Sequence, residues 1–181
     1  RKVASRIDWP LLMILGFIAA IGIANLASAA SASYGFALHI TQFIWFMVGA
    51  VVIGITALID YRIYARWSYV LYGIVVFLLL LVLVAGTELN GSRRWINLGF
   101  FLMQPSELLK IATILVGARY FHDRDSDEPM TLVELAKPLG IVALGVGFVL
   151  KQPDLGTSLV ILAIFFSMLA FQGIRISSFL V

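Results

Sequence analysis

Cysteine is absent from this 181-residue chain, which excludes disulfides and thiolate metal sites without fixing a compartment. Charge is scarce: charged residues make up 13% of the chain against 61% hydrophobic residues. With a mean hydropathy of +1.01, that balance excludes an ordinary soluble domain. Neither a phosphate loop nor a nucleophile elbow occurs, so the common soluble-enzyme signatures are missing. The two histidines, His39 and His122, stand far apart, and they read as an interfacial and a solvated residue rather than as metal ligands. Nothing in the pattern asks for nucleic acid. The net charge of +3 acquires meaning only from its distribution.

What the chain does have is apolar runs long enough to cross a bilayer, which takes about 20 helical residues each. About six such spans are expected, near Trp9 to Ala27, Ile40 to Ile59, Ser68 to Gly86, Pro105 to Phe121, Leu132 to Leu150 and Leu155 to Phe171. Runs such as Phe77 to Val84 lack the in-out alternation of a barrel strand. Helices also satisfy their own backbone groups, so the predicted fold is an all-α polytopic integral membrane protein. The chain starts at Arg1 without a methionine and stops at Val181 soon after the last run, so it is expected to be part of a longer protein. The first run is span-length, which argues against a cleaved signal peptide.

Lysine and arginine set the orientation, because short loops rich in them stay cytoplasmic. Arg1, Lys2 and Arg6 place the N-terminus inside. Counting spans from there puts Arg62 and Arg66, then Arg119, Arg124 and Lys137, and finally Arg175 on the same side, while the Ser28 to His39 loop carries neither lysine nor arginine. Arg93, Arg94 and Lys151 fall outside, and Lys110 falls within a span. These exceptions mark where function is sought.

Arg93 and Arg94 sit in the polar strip Asn90-Gly91-Ser92-Arg93-Arg94-Trp95-Ile96-Asn97. They have two readings: interfacial anchors on membrane lipids beside Trp95, or bidentate ligands of an external phosphate or pyrophosphate. Asn90, Gly91, Ser92 and Asn97 allow a tight turn whose amides join in. Gln104-Pro105-Ser106-Glu107 reads as a helix start, with proline at the first position and Glu107 at the favourable end of the dipole. Lys110 lies three residues on, on the same face, and can pair with Glu107. An intramembrane charge costs about 2.5–3.5 kcal/mol on insertion scales, so the pair is expected to face a cavity, with snorkelling of Lys110 to the interface as the alternative. A second break, Lys151-Gln152-Pro153-Asp154, repeats the outline, with Pro153 and Asp154 opening the last span and Gly156 and Thr157 allowing close packing. The run from His122 to Glu128 reads as a flexible cytoplasmic loop of mixed charge.

Taken together, Asn90-Gly91-Ser92-Arg93-Arg94-Trp95-Ile96, Gln104-Pro105-Ser106-Glu107 with Lys110, and Gln152-Pro153-Asp154-Leu155-Gly156-Thr157-Ser158 resemble the signature blocks of the SEDS family, the shape, elongation, division and sporulation proteins. They stand in the family's order and spacing. The resemblance covers essentially the whole chain, as the N-terminal part of a larger SEDS-type bundle, and leans toward the elongation branch, RodA, over the division branch, FtsW.

The resemblance implies a peptidoglycan glycosyltransferase of the bacterial cytoplasmic membrane that polymerises lipid II, the undecaprenyl-pyrophosphate-linked disaccharide pentapeptide, alongside a class B penicillin-binding protein. It implies substrate-binding roles for Arg93, Arg94, Gln104, Ser106, Glu107, Lys110, Gln152, Asp154 and Thr157. The family's catalytic aspartate lies in a later extracytoplasmic loop beyond Val181, so no catalytic residue is expected here and the 181-residue piece is expected to be inactive alone. A divalent cation, magnesium or manganese, is chemically compatible with the pyrophosphate, though no ligand set for one is visible. The competing expectations are a flippase for the same lipid and a noncatalytic membrane scaffold.

Overall fold

A computed structural model describes residues 8–30, 37–89, 91–99, 101–124 and 130–172. Expectations for Arg1, Lys2, Arg6, Asn90, Arg175 and the acidic stretch from Asp125 to Glu128 lie outside the described residues. The chain divides into two compact units, 1–60 and 61–181.

The first unit is a pair of helices, α1 (Trp9–Ala30) and α2 (Ala37–Leu58), packed on each other. No described residue of either helix is buried. Side chains such as Met13, Phe17, Val51 and Ile55 stand exposed, an arrangement that suits lipid or further protein and not water.

The second unit holds α3 (Tyr61–Ala85), a small sheet of β1 (Thr87–Leu89), β2 (Ser92–Asn97) and β3 (Leu102–Met103), then α4 (Pro105–His122), α5 (Leu132–Lys151) and α6 (Leu155–Gln172). Each helix turns one stripe inward. On α3 the buried positions are Ser68, Tyr72, Val75, Leu79 and Val82, alternating steps of four and three that trace a single helical face. On α6 they are Ser158, Ile161, Phe165 and Leu169. Leu109, Ala112 and Val116 of α4 and Val142, Val146 and Val149 of α5 complete the core. The opposite faces carry Phe77, Val84, Ile111, Leu144 and Phe166 in the open, as lipid requires. At Gly145 a β-carbon would meet the Tyr72 hydroxyl at 2.9 Å and both Leu109 methyls at 3.0 Å, so glycine is what allows α5 its close approach there.

Among the described residues, five of the six helices are long and apolar enough to cross a membrane. The expected fourth span, 105–121, forms as the helix α4 but falls outside those five, because Glu107, Lys110 and Arg119 lie along its 18 residues. It packs against α3, α5 and α6, with Lys110 partly sheltered and Glu107 largely exposed. The third span also differs: α3 begins at Tyr61, ahead of the expected Ser68. Arg62 and Arg66 thus belong to the helix, as long basic side chains near a span end can.

The sheet was not expected of an all-α chain. Its order is β1-β2-β3, antiparallel throughout, with Leu89 opposite Ser92 and Asn97 opposite Leu102. Asn90-Gly91 separates the first two strands, and Gly91 has φ +78°, the left-handed conformation such hairpin loops favour. The second connection is tightened by the Gly99 amide, which donates to Asn97 Oδ1 at 2.8 Å. The start of α4 is as read, with Gln104 as the cap and Pro105 opening the helix. The second break departs from that pattern. Gln152 closes α5 and α6 opens at Leu155, one residue after Asp154, whose Oδ1 accepts the Thr157 amide at 3.1 Å. Asp154 is therefore the N-cap, and Pro153 lies in the turn between the helices rather than inside α6.

Candidate functional site

The pleat of β2 sends its two arginines to opposite faces. Arg93 stands out, its side chain 53% exposed, with Nε 3.5 Å from Glu88 Oε2 across the β1–β2 register. Arg94 turns inward and reaches the second break: its Nε donates to the Gln152 carbonyl at 2.8 Å and its Nη2 to the Pro153 carbonyl at 2.6 Å. Its Nη1 lies 3.7 Å from Asp154 Oδ2. A single guanidinium thus gathers two carbonyls of the α5–α6 turn and the carboxylate that caps α6. Both polar breaks of the sequence accordingly lie at one end of this unit.

Asp154 is the hub of that cluster. Its Oδ2 accepts from Gln104 Nε2 at 3.2 Å and from the Thr157 hydroxyl at 2.9 Å, and its carbonyl accepts the Ser158 hydroxyl at 2.8 Å. Gln152 is buried, with Nε2 donating to the Leu79 carbonyl of α3 at 3.3 Å. Its Oε1 has no partner. Five of the nine sequence-predicted residues, Arg94, Gln104, Gln152, Asp154 and Thr157, are thereby joined through hydrogen bonds and the Arg94–Asp154 ion pair, which tie β2, the α4 cap and the α5–α6 turn together.

The other four lie apart from that network. Glu107 and Lys110 form the expected pair on α4, Nζ to Oε2 at 2.7 Å, with side chains 55% and 27% exposed. The lysine is the more sheltered partner, and its charge is balanced locally. Ser106 is fully buried and its hydroxyl has no hydrogen-bond partner. Among the described residues no ion pair or hydrogen bond joins Glu107 or Lys110 to the Asp154 cluster. Among the same residues no group of three or more histidine or acidic side chains could hold a metal. The described residues thus do not present the ligand set a divalent cation needs.

Three polar groups outside the sequence-predicted site shape the unit. Glu88 is the partner of Arg93, placed by the hairpin register. Tyr120 of α4 donates its hydroxyl to the Glu134 carbonyl at 2.9 Å. That carbonyl is the one Pro138, lacking an amide, leaves unpaired within α5. Arg124 reaches Glu134 Oε2 at 3.2 Å.

Comparison with known proteins fits this arrangement. The cell cycle protein family of FtsW, RodA and SpoVE matches residues 4–181. An FtsW of Coxiella burnetii, named a probable peptidoglycan glycosyltransferase, is 31% identical over 96% of this chain and 48% of its own length. The peptidoglycan glycosyltransferase RodA of Treponema pallidum is 33% identical over 93% of the chain and 39% of its own. Division and elongation relatives are thus equally similar, and identity does not separate the two branches. The crystal structure of the rod shape determining protein RodA of Thermus thermophilus superposes with a TM-score of 0.83 at 30% identity, covering 97% of this chain and 58% of that one. A chain of a peptidoglycan synthase complex that coordinates polymerization and crosslinking superposes at 0.77 with 34% identity, covering 88% of this chain and 46% of that one. The chain spans about half the length of the relatives it matches. It is a multi-pass membrane protein and belongs to the SEDS family, the cell cycle protein family of FtsW, RodA and SpoVE.

Proposed function

We propose that the full-length protein is a peptidoglycan glycosyltransferase that polymerises lipid II at the outer face of the bacterial cytoplasmic membrane, with the N-terminus cytoplasmic. Membership of a family whose matched relatives carry that activity in their names supports the reaction. The observation that carries the assignment of residues is the division of labour between adjacent arginines: Arg94 is consumed by the α5–α6 turn while Arg93 keeps an exposed guanidinium at the same end of the unit.

In glycosyl transfer the acceptor hydroxyl attacks the donor's anomeric carbon and undecaprenyl pyrophosphate leaves with its electron pair. Cations placed where that charge grows lower the barrier. Arg93 offers a planar fork to the pyrophosphate, displacing its weak exposed contact with Glu88. Lys110, steadied by Glu107, presents a second positive charge from the start of α4. Arg94, Gln104, Gln152, Asp154 and Thr157 act as positioning residues: they fix the angle between the hairpin, α4 and α6 that holds Arg93 and Lys110 at one end. The apolar outer faces of the helices suit the polyprenyl tail. The basic residues Arg62, Arg66, Arg119, Arg124 and Lys137 stand at the end of the unit opposite the hairpin, which supports the orientation. A partner of the class B penicillin-binding type fits the structural likeness to a synthase complex that couples polymerization to crosslinking.

The test is reconstitution of the purified full-length protein with its partner and lipid II in vesicles, following both strand formation and lipid movement. Glycan strands are expected. Lipid II crossing the bilayer without strand formation would make the protein a flippase instead.

A further inference from the structure

At the end of the second unit opposite the hairpin, Tyr69, Tyr120, Asp123, Arg124, Glu134 and Lys137 line an open hollow of about 310 Å³. The function proposed above makes no use of it. We propose that this hollow binds the headgroup of a zwitterionic phospholipid, one that carries a phosphate and a primary ammonium.

The opposite charges of the hollow are held apart and open. Glu134 and Lys137 stand three residues apart on α5, the spacing at which Glu107 and Lys110 close to 2.7 Å on α4, yet among the described residues they form no ion pair. The capping box is the reason. Glu134 Oε2 accepts the Thr131 amide at 2.8 Å and the Thr131 hydroxyl at 2.9 Å, and Arg124 Nη2 reaches the same oxygen at 3.2 Å. The carboxylate is drawn back over the start of the helix, away from Lys137. Lys137 instead lies 5.9 Å from the centre of the Tyr120 ring, a contact that leaves its N–H donors unfilled.

Two acids and two bases face the hollow, a balance that suits a zwitterion better than a bare anion or a bare cation. Asp123 gives Oδ2 to Arg119, and Glu134 gives Oε2 to Thr131 and Arg124. The other oxygen of each accepts no hydrogen bond among the described residues. An ammonium with three donors can fill those two oxygens, and a phosphate can take Lys137. Arg124, with a side chain only 11% exposed, serves from behind by pinning Glu134.

The placement selects a lipid over a soluble zwitterion. Glu134 and Lys137 occupy the opening turns of a helix that is apolar enough to cross a membrane from Val133 onward, and Tyr69 lies about 12 Å along α3 by helical rise. The hollow therefore opens at headgroup depth. Val70 and Val133, next in sequence to Tyr69 and Glu134, are exposed, apolar surface that acyl chains can cover.

The experiment is native mass spectrometry of the full-length protein released from nanodiscs that mix phosphatidylethanolamine, its mono- and dimethylated forms, phosphatidylcholine and phosphatidylglycerol. Wild type is expected to retain phosphatidylethanolamine over phosphatidylcholine about tenfold, with retention falling at each added methyl, because each removes an ammonium donor. Lys137→Gln should lower retention of phosphatidylethanolamine roughly fivefold, and Lys137→Arg should keep most of it. Asp123→Asn should flatten the methylation series. Lys151→Gln, which removes the same charge at the opposite end, should change nothing. Equal retention of phosphatidylethanolamine and phosphatidylcholine, or equal losses in Lys137→Gln and Lys151→Gln, would overturn the proposal. Preference for phosphatidylglycerol would overturn it in favour of an anion site, and displacement of the lipid by millimolar phosphoethanolamine in favour of a site for a soluble zwitterion. Should Lys137→Gln fail to fold, the methylation series of the wild type decides.

Discussion

Arg93 and Arg94 are chemically identical neighbours with opposite surroundings, and the difference makes separable predictions. Replacing Arg94 with alanine removes two hydrogen bonds to carbonyls of the α5–α6 turn and the charge facing Asp154. A loss on the order of 2 kcal/mol is expected in thermal unfolding of the detergent-solubilised protein. Replacing Arg93 removes one exposed contact with Glu88 and should change stability by no more than about 0.5 kcal/mol. Equal losses would contradict the assignment of a positioning role to Arg94 alone. Ser106 supplies a third case. Its buried hydroxyl has no partner, so Ser106→Ala is expected to be neutral or stabilising by the same measurement, and a loss above about 1 kcal/mol would show that a partner had been removed. The residue scale was legible where partners are local. Glu107 and Lys110 were paired by their three-residue spacing, and the pair forms. Arg94 finds its partners 58 and 59 residues away, and no local pattern announces a contact of that kind.

Between elements, the helices meet through a few specific compensations. Pro138 interrupts the α5 hydrogen-bond ladder, and the carbonyl it frees, that of Glu134, is taken by Tyr120 of α4. Tyr120→Phe should therefore cost on the order of 1 kcal/mol. The same change made together with Pro138→Ala should cost less than it does alone, because an alanine amide can fill the carbonyl from within α5. A double-mutant cycle by chemical denaturation reads this coupling, and strict additivity would refute it. Glycine positions divide in the same way. Gly145→Ala pushes a methyl into the Tyr72 hydroxyl, which is held by its own hydrogen bond to the Ile141 carbonyl. Gly140, with nothing within 4 Å, should accept alanine with a small gain in helix stability. The predicted order in unfolding temperature is Gly140→Ala above wild type and Gly145→Ala below it; the reverse order would place the α3–α5 contact elsewhere.

Much of this scale was open to reading. Asn90-Gly91 is a strong hairpin signal between paired strands, and Thr131 with Glu134 spells the capping box that α5 displays. Each hides in a chain dominated by apolar runs, because membrane helices of such uniform hydropathy mask short polar elements. For the same reason the start of α3 was set too late, at Ser68: its first turns carry Arg62 and Arg66 and look like loop.

On the scale of the whole molecule, the lipid solvent explains why so much apolar surface lies open. In α1 and α2 no described side chain is buried, whereas the second unit wraps its core around α4, the one helix too charged to count among the five membrane-crossing candidates. Composition and run length made this class of protein legible from sequence, since both depend on sums over many residues. The path of α4 through its neighbours depends on which faces meet, and apolar residues on every side of a helix leave that undetermined. The molecule's polar ends then follow from topology: hairpin, Arg93 and Lys110 toward one membrane face, Arg62, Arg66 and Arg119 toward the other.

The central claim is that Arg93, Glu107 and Lys110 serve substrate rather than structure. It is tested most directly by glycan-strand synthesis from lipid II, using the full-length protein with its partner at matched levels of folded protein. Wild type is compared with Arg93→Ala, Glu107→Ala and Lys110→Ala. Arg93→Ala and Lys110→Ala are predicted to lose at least tenfold in polymerisation with unfolding temperatures near wild type, and Glu107→Ala to lose less. Wild-type rates in all three would reduce these residues to a helix start and a lipid anchor, and would contradict the account.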